Sequence, residues 1–182
     1  MMRLAKRMLA IFIICMLCVS FAEPACASSL PKYNNTQSST TAAYSSAQDF
    51  LNTMEAEGIL YTYHGLDADE DDWVEVKYTG DYCDTIDIDV YFNKNGTEAL
   101  FRFWNLIDFN SQDFREVLTV VNQINGDYKW VKFSVDTNDY SVTAKLDTIF
   151  PTGYAGMICL SCLEHIVNVS DVAYQRLQPY IK

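Results

Sequence analysis

Histidine is nearly absent from this chain: His64 and His165 are the only two in 182 residues. Two histidines about a hundred residues apart make no zinc motif, so no zinc site or other metal is expected. Basic residues are also scarce, 13 against 24 acidic ones. So anionic a surface repels phosphate backbones and anionic lipid heads, which removes nucleic acid from the expected partners. Its plainest role is solubility. No internal repeat is present, and no Gly-x-Ser-x-Gly element marks a nucleophile.

The N-terminus has the parts of an export signal. The first eight residues carry Arg3, Lys6 and Arg7 and no acid, an apolar run covers Leu9–Ala22, and Ala25-Cys26-Ala27 follows a break at Pro24. That order predicts a secretory signal over residues 1–27, removed ahead of Ser28. The apolar run is shorter than the roughly 20 residues that span a bilayer, which favours cleavage over a retained anchor and leaves no membrane span afterwards. Glu23 and Pro24 stand where a lipobox wants apolar and small residues, against lipidation of Cys26. The protein is therefore expected to be secreted or extracytoplasmic, in the periplasm if the host has an outer membrane.

Cleavage removes three basic and one acidic side chain, moving the net charge from −11 to −13. It also leaves three of the six cysteines, Cys83, Cys159 and Cys162. An odd count outside the cytosol keeps at least one thiol free or intermolecular, and so few make no disulfide scaffold. The fold must rest on a hydrophobic core, which 14% aromatic content can supply.

Residues 28–43 are Ser/Thr/Asn-rich and aperiodic, and are expected to form a flexible tether to a single domain over 44–182. A helix is predicted first, capped by Ser45 or Ser46, with Ala47, Phe50, Leu51 and Met54 on its apolar face, Asp49 outside it and Gly58 at its end. Strands follow at Ile59–Tyr63, Trp73–Tyr78, Thr85–Phe92 and Thr97–Ile107. The third alternates most cleanly, with Ile86, Ile88, Val90 and Phe92 inward and Asp87, Asp89 and Tyr91 outward. Asn93–Gly96 turns into the fourth, whose Leu100–Trp104 is apolar on both faces. Ser111 opens a second helix through Phe114, Val117, Leu118 and Val121, closed at Asn125-Gly126. A hairpin, Lys129–Val135 and Val142–Ile149, precedes a last helix from Tyr154 to Tyr180. The order α-β-β-β-β-α-β-β-α predicts an α+β fold, with helices on one face of an antiparallel sheet made of a meander plus a hairpin.

That order, the segment Tyr128–Asp136, the following Ser141-Val-Thr-Ala144, and a last helix carrying Val169, Asp171, Ala173 and Tyr174 resemble the YbjN-like family, also described as bacterial sensory transduction regulators. The resemblance covers roughly residues 45–180. It implies a fold similar to the chaperones of type III secretion and a binding or regulatory module without catalytic residues. The export signal, the acidic loop and the cysteine pair depart from the family pattern.

Cys159-Leu-Ser-Cys162 is the one motif with redox spacing. A CxxC pair can cycle if a helix N-terminus stabilises one thiolate, but no βαβ unit precedes it, and both sulfurs could equally pack as a disulfide or as small apolar groups. Cys162 and His165, three apart, could meet as a thiol–imidazole pair. Asp67, Asp69 and Asp71 match three ligand positions of a calcium loop, but Asp72 and Tyr78 stand where glycine and glutamate belong. The expectation is therefore a non-enzymatic module without cofactor that binds another protein. The expected contact surface is the open face or edge of the sheet around Asp87, Asp89, Tyr91, Trp104 and Lys132, a surface that also suits a homodimer. An extracytoplasmic thiol–disulfide oxidoreductase using Cys159 and Cys162 is the alternative.

Overall fold

The computed structural model describes residues 41–182; the expected signal and most of the expected tether lie outside the described residues. Helix α1 (Ser45–Glu57) leads into strands β1 (Thr62–Leu66), β2 (Asp72–Tyr78), β3 (Ile86–Phe92) and β4 (Glu98–Asp108). A 3-10 turn at Ser111–Asp113 opens α2 (Phe114–Asp127), then come β5 (Lys132–Asp136), β6 (Ser141–Ile149) and the long helix α3 (Ala155–Leu177). All six strands join one antiparallel sheet in the order β1-β2-β3-β4-β6-β5. This is the α+β architecture expected from the sequence.

The period-two pattern places the core. Val74, Val90, Phe101 and Leu146 sit on adjacent strands in one row, and Val76, Ile88 and Phe103 lie close to another; all are buried. The helices cover this face. Phe50 of α1 meets Phe92 at 5.4 Å between ring centres, and α3 buries Cys159, Leu163, Ile166, Ala173 and Leu177. Fully burying a side chain of this size stabilises by about 1.5–3 kcal/mol, so this two-layer core holds the domain. α3 is long and apolar enough to cross a membrane by composition, but half of that window is buried within the domain.

Several local features differ from the sequence reading. No serine caps α1. The carboxylate of Asp72 at the start of β2 accepts from the N–H groups of Ala43 (3.2 Å) and Tyr44 (2.6 Å), and Ala42 is buried, so the end of the expected tether is docked. β1 starts three residues after the expected strand, because Ile59 closes the left-handed cap of α1, with Gly58 at φ 68°. Asp49 is not simply outside: its carboxylate accepts from Gly156 N (2.8 Å) at the start of α3. A Cβ at Gly156 would lie 2.1 Å from Thr53 Oγ1, so glycine lets the two helices touch. α2 runs through Asn125-Gly126 rather than ending there, and Leu118 faces solvent.

Candidate functional site

The face of the sheet away from the helices is built from the other half of each alternating pattern. Trp73, Glu75 and Lys77 come from β2, Asp87, Asp89 and Tyr91 from β3, and Leu100, Arg102 and Trp104 from β4. Pairing sets them in cross-strand rows. Trp73, Tyr91, Leu100 and Asp147 form one; Glu75, Asp89, Arg102, Lys145 and Lys132 form the next.

The first row begins with two aromatic side chains. His64 stacks on Trp73 at 4.0 Å, and Trp73 stacks on Tyr91 at 6.1 Å. Asp89 lies beneath, accepting from Trp73 Nε1 (2.8 Å) and Tyr91 Oη (3.3 Å). Trp104 stays half exposed, carried outward where β4 breaks register with β6 between Phe103 and Ile107 and Asn105 takes φ 50°. A bulge of this kind re-aims a side chain while Leu106 and Ile107 both reach the core.

Charges are paired across the same face. Glu75 meets Lys77 Nζ at 2.6 Å and His64 Nε2 at 3.1 Å, while Lys77 also reaches Asp87 at 3.2 Å. The Lys77 ammonium, with His64 behind it, holds the Glu75 carboxyl below its ordinary range. Burial and the adjacent Glu75 charge push Asp87 up. Arg102 pairs with Asp147 and donates to Phe101 O. Exposed pairs of this kind contribute little to stability.

Of the expected contact residues, Asp87, Asp89, Tyr91 and Trp104 lie on this face. Lys132 shares the row of Asp89, but its ammonium is committed to the carbonyl of Asn125 in α2 (2.8 Å) and that of Tyr128 just past its end (2.5 Å). It complements the negative end of that helix rather than reaching outward. His64, Trp73, Glu75 and Arg102 are not among the contact residues expected from the sequence. The strict alternation of Trp73-Val-Glu-Val-Lys77 was the available signal, but its outward half acquires meaning only once paired with β3.

Among the described residues, Cys83, Cys159 and Cys162 are free. Cys159 is wholly buried and Cys162 partly so, and burial raises both thiols above the ordinary thiol range. Cys83 is buried, with Sγ bonded to Thr85 O (3.1 Å). In native protein at neutral pH, Cys162 is expected to react slowly with a thiol reagent and Cys83 and Cys159 only after unfolding. Rapid labelling of Cys159 before denaturant is added would contradict this. The acidic loop is closed on itself, since Asp67 Oδ1 accepts from the N–H groups of Asp69 (2.9 Å) and Asp71 (3.0 Å). Among the described residues no group of three or more His, Cys, Asp or Glu side chains is placed to hold a metal ion. No protein-family model matches the chain, and no curated protein matches it in sequence.

Proposed function

We propose that this chain is an exported, non-catalytic protein-binding or regulatory module of the YbjN-like type. Its contact surface is the outer face of the sheet around Asp87, Asp89, Tyr91 and Trp104. One observation carries the reading: the helices of the described residues pack on one face of the sheet, and the other presents stacked aromatics and fixed charge pairs to solvent. Aromatic side chains with two rotatable bonds supply large contact area at low entropic cost, and ordered charges select among partners. The raised thiols of Cys159 and Cys162 work against a thiol–disulfide oxidoreductase, which needs a stabilised thiolate.

Cross-linking of the protein in its native host, followed by mass spectrometry, tests this. One reproducible partner is expected, and Trp104→Ala should reduce its capture about tenfold or more, as for an interface anchor, with the melting temperature nearly unchanged. Undiminished capture by Trp104→Ala and Tyr91→Ala variants would sink the proposal.

A further inference from the structure

Two margins of the sheet are guarded. The outer edge of β5 is plugged by Asn125, whose Nδ2 donates to Phe133 O (2.9 Å) and whose Oδ1 accepts from Phe133 N (2.7 Å). The outer edge of β1 is kinked by a register shift between Tyr63 and Gly65, with Gly65 at φ 88°. Both devices stop a sheet from pairing with a foreign strand.

A third margin has neither. β6 is nine residues long, but β5 pairs with it only between Ser141 and Lys145. Among the described residues, Leu146–Ile149 therefore have β4 on one side and no strand on the other. Phe150 N donates to Thr97 O (2.9 Å), which turns the even-numbered residues of β6 toward β4. By the alternation of an antiparallel ladder, the N–H and C=O groups of Asp147 and Ile149 point out to the open side.

The lane that β5 vacates is a cavity of about 300 Å³ between Leu146–Thr148, the α3 residues Ser161, Cys162 and His165, and Trp130. Met157, Ser161 and His165 recur every four residues and so share one stripe of α3. Trp130 meets His165 edge-on at 5.8 Å and is 71% exposed; Ile149 is 80% exposed and Met157 65%. Among the described residues, His165 Nε2 is buried without a hydrogen-bond partner. Asp147, the one acidic or basic residue in the lining besides His165, is already paired with Arg102.

We propose that this groove takes an extended, uncharged segment of a partner protein as an added strand in the vacated lane. The inference rests on the protein-binding reading and adds the chemistry of what is bound. An open ladder is complemented by an extended main chain, and the exposed Trp130 and Met157 on the helix side of the lane by apolar side chains at alternate positions. A charged segment would give up its hydration here with no partner in return. Two copies of this chain each carry net charge −11, or −13 after signal removal, which opposes pairing the margin with itself.

The probe is a synthetic peptide of about nine residues alternating Val or Ile with Thr or Ser, compared with the same peptide bearing proline at alternate positions. Amide hydrogen exchange of the exported protein is followed by NMR. The alternating peptide should slow exchange at Asp147 and Ile149 by about tenfold or more, and the proline peptide should not. Ile149→Pro deletes an outward N–H that no ladder bond uses, so the melting temperature should hold while affinity falls about tenfold. No protection from any alternating peptide, or equal affinity in Ile149→Pro, overturns the inference. Protection that rises with protein concentration in the absence of peptide, with a dimer by sedimentation, assigns the margin to a second copy and overturns it as well. Partner capture lost in Trp104→Ala but intact in Ile149→Pro would leave the proposed function standing and remove this inference alone.

Discussion

Asp171→Ala is expected to destabilise the fold by about 3 kcal/mol, read as a lower urea midpoint with an unchanged slope. Asp171 lies on α3 and is nearly buried, and its carboxylate accepts from three consecutive backbone N–H groups, Asp81 (2.9 Å), Tyr82 (3.0 Å) and Cys83 (2.8 Å). This fastens the connection between β2 and β3 to the helix layer. Each donor left without an acceptor costs about 1–3 kcal/mol when buried. Asp81 and Tyr82 are exposed enough for water to replace part of the loss, which keeps the total near the lower bound. Asp171→Asn retains an acceptor oxygen and should lose less than half as much.

The same anchor dictates a glycine. A Cβ on Gly80 would stand 2.1 Å from Asp171 Oδ1 and 2.5 Å from its Cγ, and that carboxylate cannot swing away without releasing its three donors. Gly80→Ala should therefore also destabilise. Combined with Asp171→Ala its effect should be markedly less than additive, because the obstructing group is gone. Additivity within a few tenths of a kcal/mol in a double-mutant cycle would contradict this account.

Asp72→Ala is expected to cost about 2–4 kcal/mol. The residue is fully buried at the start of β2, where it receives the Ala43 and Tyr44 amides and the Tyr63 hydroxyl (2.5 Å). One carboxylate thus holds the entry to α1 and the edge strand β1. Tyr63 adds a pH dependence. Burial first, and its bond to Asp72 second, push the Tyr63 phenol from 10.0 up to about 12. A folded-state value above the unfolded one means its contribution is complete below pH 10 and lost as pH rises toward 12. The urea midpoint of wild type should fall more steeply across that window than that of Tyr63→Phe; equal slopes would exclude the coupling.

Much of the architecture was legible because period and punctuation are local properties. The alternation Ile86 to Phe92, the turn at Asn93–Gly96 with Gly96 at φ 68°, and the glycine that ends α1 each depend only on side-chain direction or backbone freedom within a few residues. The misplaced features share another cause. Asp72 fixes the amides that lead into α1 while no serine makes a cap bond, Asn125 is used on the edge of β5 rather than to end α2, and Ile59 closes a helix cap rather than opening a strand. In each case the partner lies outside the local window or competes with a valid local alternative.

The candidate surface divides in the same way. Asp87, Asp89 and Tyr91 could be assigned to an outward face from β3 alone, since successive side chains of a strand point to opposite sides. That Trp73 would stack between His64 and Tyr91, that Lys132 would be consumed by the end of α2, and that Arg102 would be bound to Asp147 followed from strand order and register. The amino-acid sequence by itself determined the element types, their order and which side of each strand is apolar, because those rest on propensity and periodicity. Only the tertiary structure decided which charges are paired, which thiols are buried and which margin of the sheet is open. Those are properties of contacts between distant residues, and they exist only once loop closure has brought those residues together.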